Sequence, residues 1–287
     1  MTGALVLKFG GELLEDPARL RTVVAAIVHI ASSGPKGRGG PVVVVHGGGK
    51  EIDRALARVG LAKHQVDGVR VTDPATLDVV VEVLAGAVNT RLVAAVNKAG
   101  GRAVGLTGVD GGLVPVTPAA PHRAVNGSVV DLGRVGTPSG KGRPALAADL
   151  LAAGYVPVVA SIAAGPDGLL YNVNADTLAA DLAARLGVKR LVIAGGTAGV
   201  LDESGKTLPD LDEKDIERLI GSGVASAGMV AKLGACRDAL AGGVDDVLLV
   251  DGKDAAVLRS VIGGELPMGL EATRLRASVA NVRRPEL

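Results

Sequence analysis

Aromatic side chains are almost absent from this 287-residue sequence: one phenylalanine, Phe9, two tyrosines, Tyr155 and Tyr171, and no tryptophan. The core must therefore be filled by Val, Leu, Ile and Ala. Any purine has to be held by aliphatic walls and backbone, because stacking on aromatic rings is essentially unavailable. Cysteine is scarcer still. The lone Cys236 excludes a disulfide framework, fits a reducing compartment and reads as a helix-packing residue. A basic excess is missing too: the net charge is +1, which argues against a nucleic-acid partner. No basic leader precedes Ala4-Leu5-Val6-Leu7 and no apolar run reaches membrane length, so a soluble, cytoplasmic protein with no membrane partner is expected.

Several familiar signatures are also missing. Gly136 to Lys141 is one residue short of a phosphate-binding P-loop and lacks the following hydroxyl. No G-x-G-x-x-G opens the first helix, which disfavours a nicotinamide-dependent dehydrogenase. His29, His46, His64, His122 and Cys236 show no metal-ligand spacing, so no protein-bound metal site is expected. The hydrolase G-x-S-x-G and kinase-type H-R-D patterns do not occur.

What is present centres on Pro41 to Arg58. Four consecutive valines, the habit of a strand buried on both faces, run into His46-Gly47-Gly48-Gly49 and then an amphipathic segment with Ile52, Leu56 and Val59. A strand, a glycine loop and a helix together aim backbone N–H groups at an anion, although a tight turn without a ligand has the same pattern. The chain's start repeats it: Ala4 to Lys8, then Phe9-Gly10-Gly11, then a helix from about Pro17 to Ala31. This βαβα opening predicts a mainly parallel sheet with helices on both faces, an α/β sandwich of three layers. Both glycine loops then lie at carboxyl ends of strands, where such sheets bind ligands.

Further along, Asp67 to Asp73 reads as a loop or hairpin carrying Arg70, and Pro74 to Ala99 as one long apolar helix. Hairpins and loops fill Pro115 to Gly142, a helix Ala145 to Ala153 and a strand Tyr155 to Ser161. Asn172-Val173-Asn174-Ala175-Asp176 leads from a short strand into a helix ending at Leu186. Arg190 to Ala194 ends in a third glycine loop, Gly195 to Gly199. Helices over Asp212 to Gly221 and up to Ala241, a strand Asp246 to Val250 and a helix Asp254 to Ile262 complete the series.

The residues at strand and helix ends that could carry chemistry are Lys8, Arg70, Asn172, Asp176 and Lys232. Phosphoryl transfer asks a protein mainly for positioning and positive charge, which two lysines and two glycine loops supply. Each residue also has a plainer role: Lys8 and Lys232 as ordinary lysines, Asp176 as a helix N-cap, and Arg70 and Asn172 as loop residues bonding nearby carbonyls.

In their order, Lys8-Phe9-Gly10-Gly11, His46-Gly47-Gly48-Gly49, Gly68-Val69-Arg70-Val71-Thr72, Asn172-Val173-Asn174-Ala175-Asp176 and Gly228-Met229-x-x-Lys232 resemble the amino-acid kinase family. The resemblance covers about residues 4 to 270 and is strongest to the branch that phosphorylates the side-chain carboxylate of N-acetyl-L-glutamate in arginine biosynthesis. It implies the amino-acid kinase fold in two lobes, residues 1–174 for the acceptor and the transfer site and residues 175–287 for ATP. It also implies roles. Lys8 and Lys232 would touch the phosphoryl group in flight, with Asp176 holding both. Gly10, Gly11, Gly47, Gly48 and Gly49 would cradle phosphate and acceptor, and Arg70 and Asn172 would grip the α-carboxylate. Gly196, Thr197, Gly199, Leu201 and Ser226 would border the nucleotide, and Mg2+ would ride on its phosphates.

A carboxylate acceptor is already ionised at neutral pH, so no general base is needed and His46 is expected to orient its loop. Gly196 and Ala227 stand where such relatives usually carry other residues near the nucleotide. Ring-forming, arginine-inhibited members carry an extra helix before the first strand and an effector loop that Pro267-Met268-Gly269 does not match. A homodimer insensitive to arginine is therefore expected. Two alternatives stand beside this: a kinase acting on a carrier-protein-linked aminoadipate or glutamate, and a non-catalytic amino-acid or nucleotide sensor of the same fold.

Overall fold

The computed structural model describes residues 4–32, 40–124, 127–221, 227–263 and 271–277. It opens with strand β1 (Leu5–Phe9), the one-turn helix α1 (Glu12–Glu15) and the long helix α2 (Pro17–Ser32). Strand β2 (Val42–His46) and helix α3 (Gly49–Arg58) repeat the pattern, and β3 (Gln65–Val66) pairs with β4 (Val69–Arg70) in a hairpin. A continuous helical stretch follows, made of α4 (Pro74–Val81), a π-helical segment (Glu82–Val88) and α5 (Asn89–Lys98). Then come β5 (Ala103–Thr107), β6 (Val116–Pro118), β7 (His122–Arg123), β8 (Val129–Val130) and β9 (Val135–Pro138). Helix α6 (Ala145–Ala152) leads to β10 (Val156–Ala160), β11 (Ile162–Ala164), β12 (Leu170–Val173) and α7 (Ala175–Leu186). The chain continues through β13 (Arg190–Gly195), β14 (Asp210–Leu211), α8 (Glu213–Gly221) and α9 (Ala227–Ala241). Strand β15 (Asp246–Asp251), α10 (Ala255–Gly263) and β16 (Ala272–Arg276) close it.

Eight strands form the main sheet in the order β14-β16-β15-β13-β1-β2-β10-β5. Its neighbours pair in parallel except β15 with β16. The period of two along each strand sorts side chains onto two faces. Val6, Val43 and Val45 pack with Leu178 and Leu182 of α7 and Leu233 of α9 on one face. Leu5, Leu7, Phe9, Val42 and Val44 meet Val23 and Ile27 of α2 and Leu84 and Leu92 of the long helix on the other. Full burial of each such side chain contributes on the order of 2 kcal/mol, so the two layers of helices hold the strand ends, and the loops beyond them, in fixed register. The three-layer α/β architecture expected from the sequence is the one observed.

Two details amend the expectations. The stretch Pro74–Lys98 is long and apolar enough to cross a membrane by length and composition, with a mean hydropathy of 1.8, so an apolar segment of membrane length is present after all. Val80, Val83, Leu84, Val88, Leu92 and Val96 nevertheless bury one side of it in the core. A second sheet, β11-β12-β9-β6, takes β6 and β9 from the stretch where hairpins and loops were expected. It pairs β9 in parallel with β12, the short strand expected before Asn174, which carries Asn172 toward the glycine loops.

Candidate active site

Strands β1, β2 and β13 are neighbours, so their loops meet at the carboxyl end of the sheet. The Gly10 N–H donates to the Ala194 carbonyl at 3.0 Å, joining the first loop to the third. A methyl group on Gly11 would lie 2.6 Å from the Gly48 Cα, so the first two loops touch backbone to backbone, an approach only glycine permits. On its other side Gly48 abuts Leu84, in the π-helical segment. Such segments recur at functional sites because they displace part of a helix toward its surroundings.

The segment after β12 delivers the acid. Asn174, not Asp176, caps α7: its side-chain oxygen accepts the N–H groups of Asp176 at 2.8 Å and Thr177 at 3.1 Å. Released from the cap, Asp176 sits in the first turn and takes the Lys8 ammonium at 2.7 Å on one carboxylate oxygen and Lys232 at 3.3 Å on the other. Lys8 and Asp176 are buried. Burial alone pushes the Asp176 carboxyl up, but the charges and hydrogen bonds of Lys8 and Lys232 outweigh it and hold it down at about 2. The acid is therefore ionised throughout the physiological range, and the two ammonium groups stand together on one carboxylate.

A cavity of about 290 Å³ opens in front of this group, lined by Lys8, Gly10, Gly11, Gly47, Gly48 and Gly49 together with Arg70, Asn172 and Asp176. Lys232 reaches it through Asp176. On one flank the Arg70 guanidinium is buried, bonded through Nη2 to Asp53 and to the Gly49 carbonyl at 3.3 Å. Its Nη1 is buried with no partner among the described residues. Asn172 donates to the Thr72 hydroxyl at 3.3 Å, which in turn donates to the Arg70 carbonyl at 3.2 Å, so the two expected carboxylate-gripping residues are joined.

His46 is fully buried behind the loop. Its Nδ1–H donates to the Gly47 carbonyl at 3.2 Å and Nε2 accepts from the Asn89 amide at 3.0 Å. Burial, helped by the Arg91 charge and opposed by the Gly47 bond, pulls its pKa down to about 4. Cys236, one turn beyond Lys232 on α9, is buried too, and burial pushes its thiol well above the usual range.

The expected nucleotide residues are more scattered. Gly196, Thr197, Gly199 and Leu201 all fall outside the cavity lining, and of these Gly196 borders the first loop through Glu12. Gly199 has a structural demand of its own, a φ of +118° and a backbone pressed against Thr273 of β16. Ser226 and Pro267 to Gly269 lie outside the described residues, as does the side chain of Ala227. Two acids escaped the sequence analysis, one behind Arg70 and one lining the cavity. Asp53, one turn into α3, accepts from Arg70 and from Lys63 at 2.7 Å; burial alone would raise its carboxyl, but those two partners keep it below the usual range. Glu12 follows Gly11 directly and lines the cavity. An acid within a turn of each glycine loop was the available signal for both.

The profile of the amino acid kinase family matches residues 3–251. The chain belongs to that family. It is 41% identical over 254 residues to the acetylglutamate kinase of Methylobacterium nodulans, covering 87% of this chain and 81% of that one. With the acetylglutamate kinase of Afipia carboxidovorans it shares 40% identity, covering 87% and 84%. Among solved structures, N-acetylglutamate synthase from Neisseria gonorrhoeae, complexed with coenzyme A and N-acetyl-glutamate, superposes with a TM-score of 0.78 at 23% identity. That match takes in 96% of this chain and 59% of the synthase. Carbamate kinase from Giardia lamblia gives 0.66 at 13% identity, covering 96% and 98%. At such identities the likeness is one of fold, and the fold shared is that of the amino-acid kinases.

Proposed function

We propose that the chain is an acetylglutamate kinase, which transfers the γ-phosphoryl group of ATP to the side-chain carboxylate of N-acetyl-L-glutamate and so yields N-acetyl-L-glutamyl 5-phosphate for arginine biosynthesis. The observation that carries this reading is the pair of lysines held by Asp176, an acid that lines the same cavity as Arg70 with its unpartnered Nη1. Relatives about 40% identical over most of the chain bear that enzyme's name. Arg70 and Asn172 would grip the acceptor's α-carboxylate, leaving its side-chain carboxylate to point toward Lys8.

One carboxylate oxygen of the acceptor forms the new bond to the γ-phosphorus as the bond to the β-bridging oxygen breaks, and ADP leaves with that electron pair. No proton moves, so neutral His46 is suited to shaping its loop. Negative charge grows on the bridging oxygen and stays on the transferred group. Lys8 and Lys232, already fixed by Asp176, meet that charge without reorganising. Gly10, Gly11 and the Gly47 to Gly49 loop would present N–H groups to the phosphoryl oxygens and the acceptor. The C-terminal half, from 175 onward, would carry ATP beside Gly196, with Thr197, Gly199, Leu201 and Ser226 around it, and the N-terminal half, 1–174, the acceptor. Mg2+, travelling on the nucleotide, would screen its phosphate charges.

A cytoplasmic homodimer belongs to the proposal. Gly86, Ala87 and Ala94 are small, exposed positions along the long helix, next to β5, which among the described residues is an edge strand of the sheet. Light scattering on the purified chain tests the dimer. A coupled ADP-release assay tests the activity: acetylglutamate should be turned over well ahead of glutamate, aspartate and carrier-linked aminoadipate. Faster turnover of the carrier-linked acceptor would shift the assignment, and no ADP release with any acceptor would favour a sensor.

A further inference from the structure

Glu12 is the one charged residue in the cavity lining for which this reaction scheme has found no task. Its carboxylate folds back over the first glycine loop, so that a methyl group on Gly10 would run into both of its oxygens. It also faces the third loop. Methyl groups on Gly195 and Gly196 would lie 3.8 and 3.6 Å from its Oε1. The carboxylate therefore bridges the loops after β1 and β13, beside the Gly196 proposed to border ATP, in space that only glycines leave open.

Its electrical setting is unusual for this molecule. Asp176, the other acid lining the cavity, has Lys8 and Lys232; behind the lining Asp53 has Arg70 and Lys63, and on helices α1 and α3 Glu15 has Arg54 and Glu51 has Arg91. Among the described residues, the Glu12 carboxylate has no ion pair and no hydrogen bond. The two lysines closest to the reacting centre are already held by Asp176. An unneutralised carboxylate beside a triphosphate repels it, unless a cation stands between them. A Mg2+ ion wants just this company: hard oxygen ligands, one or two carboxylates, phosphate oxygens and retained waters.

We propose that Glu12 is a protein ligand, direct or through one water, of the divalent cation that enters with the nucleotide. The proposal rests on the kinase reading above and adds a residue to it. Glu12 then makes the site selective for the metal complex over the free nucleotide: with the cation present it attracts, and without it it repels. An acid at the same place that did not bind the cation would repel the nucleotide with or without it, and its removal would leave the Mg2+ enhancement unchanged.

The test is calorimetric titration of ADP and of a non-hydrolysable ATP analogue into the full chain, with Mg2+ and with chelator, for wild type, E12Q and E12A. Circular dichroism serves to check folding. In wild type Mg2+ should tighten nucleotide binding, and in E12Q and E12A that tightening should shrink by roughly 10- to 100-fold, the usual effect of disturbing a metal's protein shell. Metal-free nucleotide should bind both variants more tightly than wild type. With Mn2+ as probe, water-proton relaxation should report a weaker ternary metal site in both. Mg2+ enhancement that survives intact in the variants overturns the role of Glu12 and leaves the kinase reading standing. If no protein binds nucleotide under either condition, both fall.

Discussion

Asp176 holds Lys8 at 2.7 Å and Lys232 at 3.3 Å on its two separate oxygens, so one carboxylate ties the end of β1 to helix α9 across the first turn of α7. The link is local chemistry and long-range architecture at once, because its three members come from opposite ends of the chain. Replacing Asp176 with Asn keeps the shape and removes the charge, leaving two ammonium groups facing each other without a counter-ion. We expect kcat to fall by at least about 100-fold, as when a preorganised charge-stabilising group is lost. Stability should fall by roughly 3 kcal/mol, the cost of breaking a buried ion pair from one side. ADP release and urea unfolding measure the two effects. Since the three residues act as a unit, the Lys8→Ala, Asp176→Asn double variant should be little slower than the worse single variant.

Arg70 gives a different split. Nη2 is committed to Asp53 and the Gly49 carbonyl, and Nη1 is buried without a partner. A buried N–H left unpaired costs about 1 to 3 kcal/mol, a debt that a carboxylate in the cavity would cancel on binding. Arg70→Ala should therefore raise the half-saturating acceptor concentration by roughly 30- to 100-fold, since charged hydrogen bonds contribute about 2 to 3 kcal/mol, and change kcat far less. Arg70→Lys should rescue little, as an ammonium cannot serve Asp53 and a carboxylate in the same planar fork. Initial-rate kinetics with varied acetylglutamate decide it. An unchanged half-saturating concentration would remove Arg70 from the acceptor site.

The parts of this structure that were legible in the sequence are those in which one strong local signal sets the outcome. Four valines leading into three glycines left little choice but a buried strand and a loop, and β2 with α3 followed. The one-turn helix α1 and the strands β14 and β16 were not seen, because α1 and β14 are too short to show a period and β16, whose residues alternate with threonine and arginine, is placed by distant partners. Thr273 illustrates this: its place on β16 follows from bonds to Val200 and Leu208, some seventy residues earlier. The plainer reading of Asp176 as an N-cap failed because Asn174, two residues earlier, competes for the same N–H groups and takes the cap. Pairings such as Asp53 with Arg70 join an α3 face to a hairpin, and no spacing along the chain announces them. The breadth of the glycine-loop cluster was legible, and the pairing of Asp176 with Lys8 and Lys232 was implied by the family resemblance; the partners of Asp53 and Glu51 were not foreseen.

His46 makes a pH prediction. Its pKa is pulled from 6.5 to about 4 in the folded chain, chiefly by burial. Below pH 6.5 the unfolded chain binds a proton there that the folded chain refuses, so stability from this group is full above 6.5 and declines as pH falls toward 4. The loss can reach on the order of 3 kcal/mol. Urea midpoints between pH 7.5 and pH 4.5 should drop accordingly. His46→Gln, which keeps a polar group near Asn89 and cannot titrate, should start lower at neutral pH and decline less across the same range. An equal decline in both proteins would locate the titration elsewhere.

Glycines on the two loops separate packing from chemistry. A methyl on Gly11 meets backbone, the Gly48 Cα at 2.6 Å, which no rotamer change relieves, so Gly11→Ala must push the first two loops apart. Both the melting temperature and turnover should fall. At Gly49 a methyl meets nothing within 4 Å, and the residue opens α3. Since alanine is the better helix former by up to about 1 kcal/mol, Gly49→Ala should melt no lower than wild type. Were the loop only a turn, its activity would be untouched as well. If Gly49 instead lets a substrate approach its N–H, the methyl intrudes on that substrate, and the half-saturating acceptor or nucleotide concentration should rise several-fold at unchanged stability, roughly 1 kcal/mol of lost binding. Thermal melts and initial rates on this pair of variants therefore tell a working loop from an idle one.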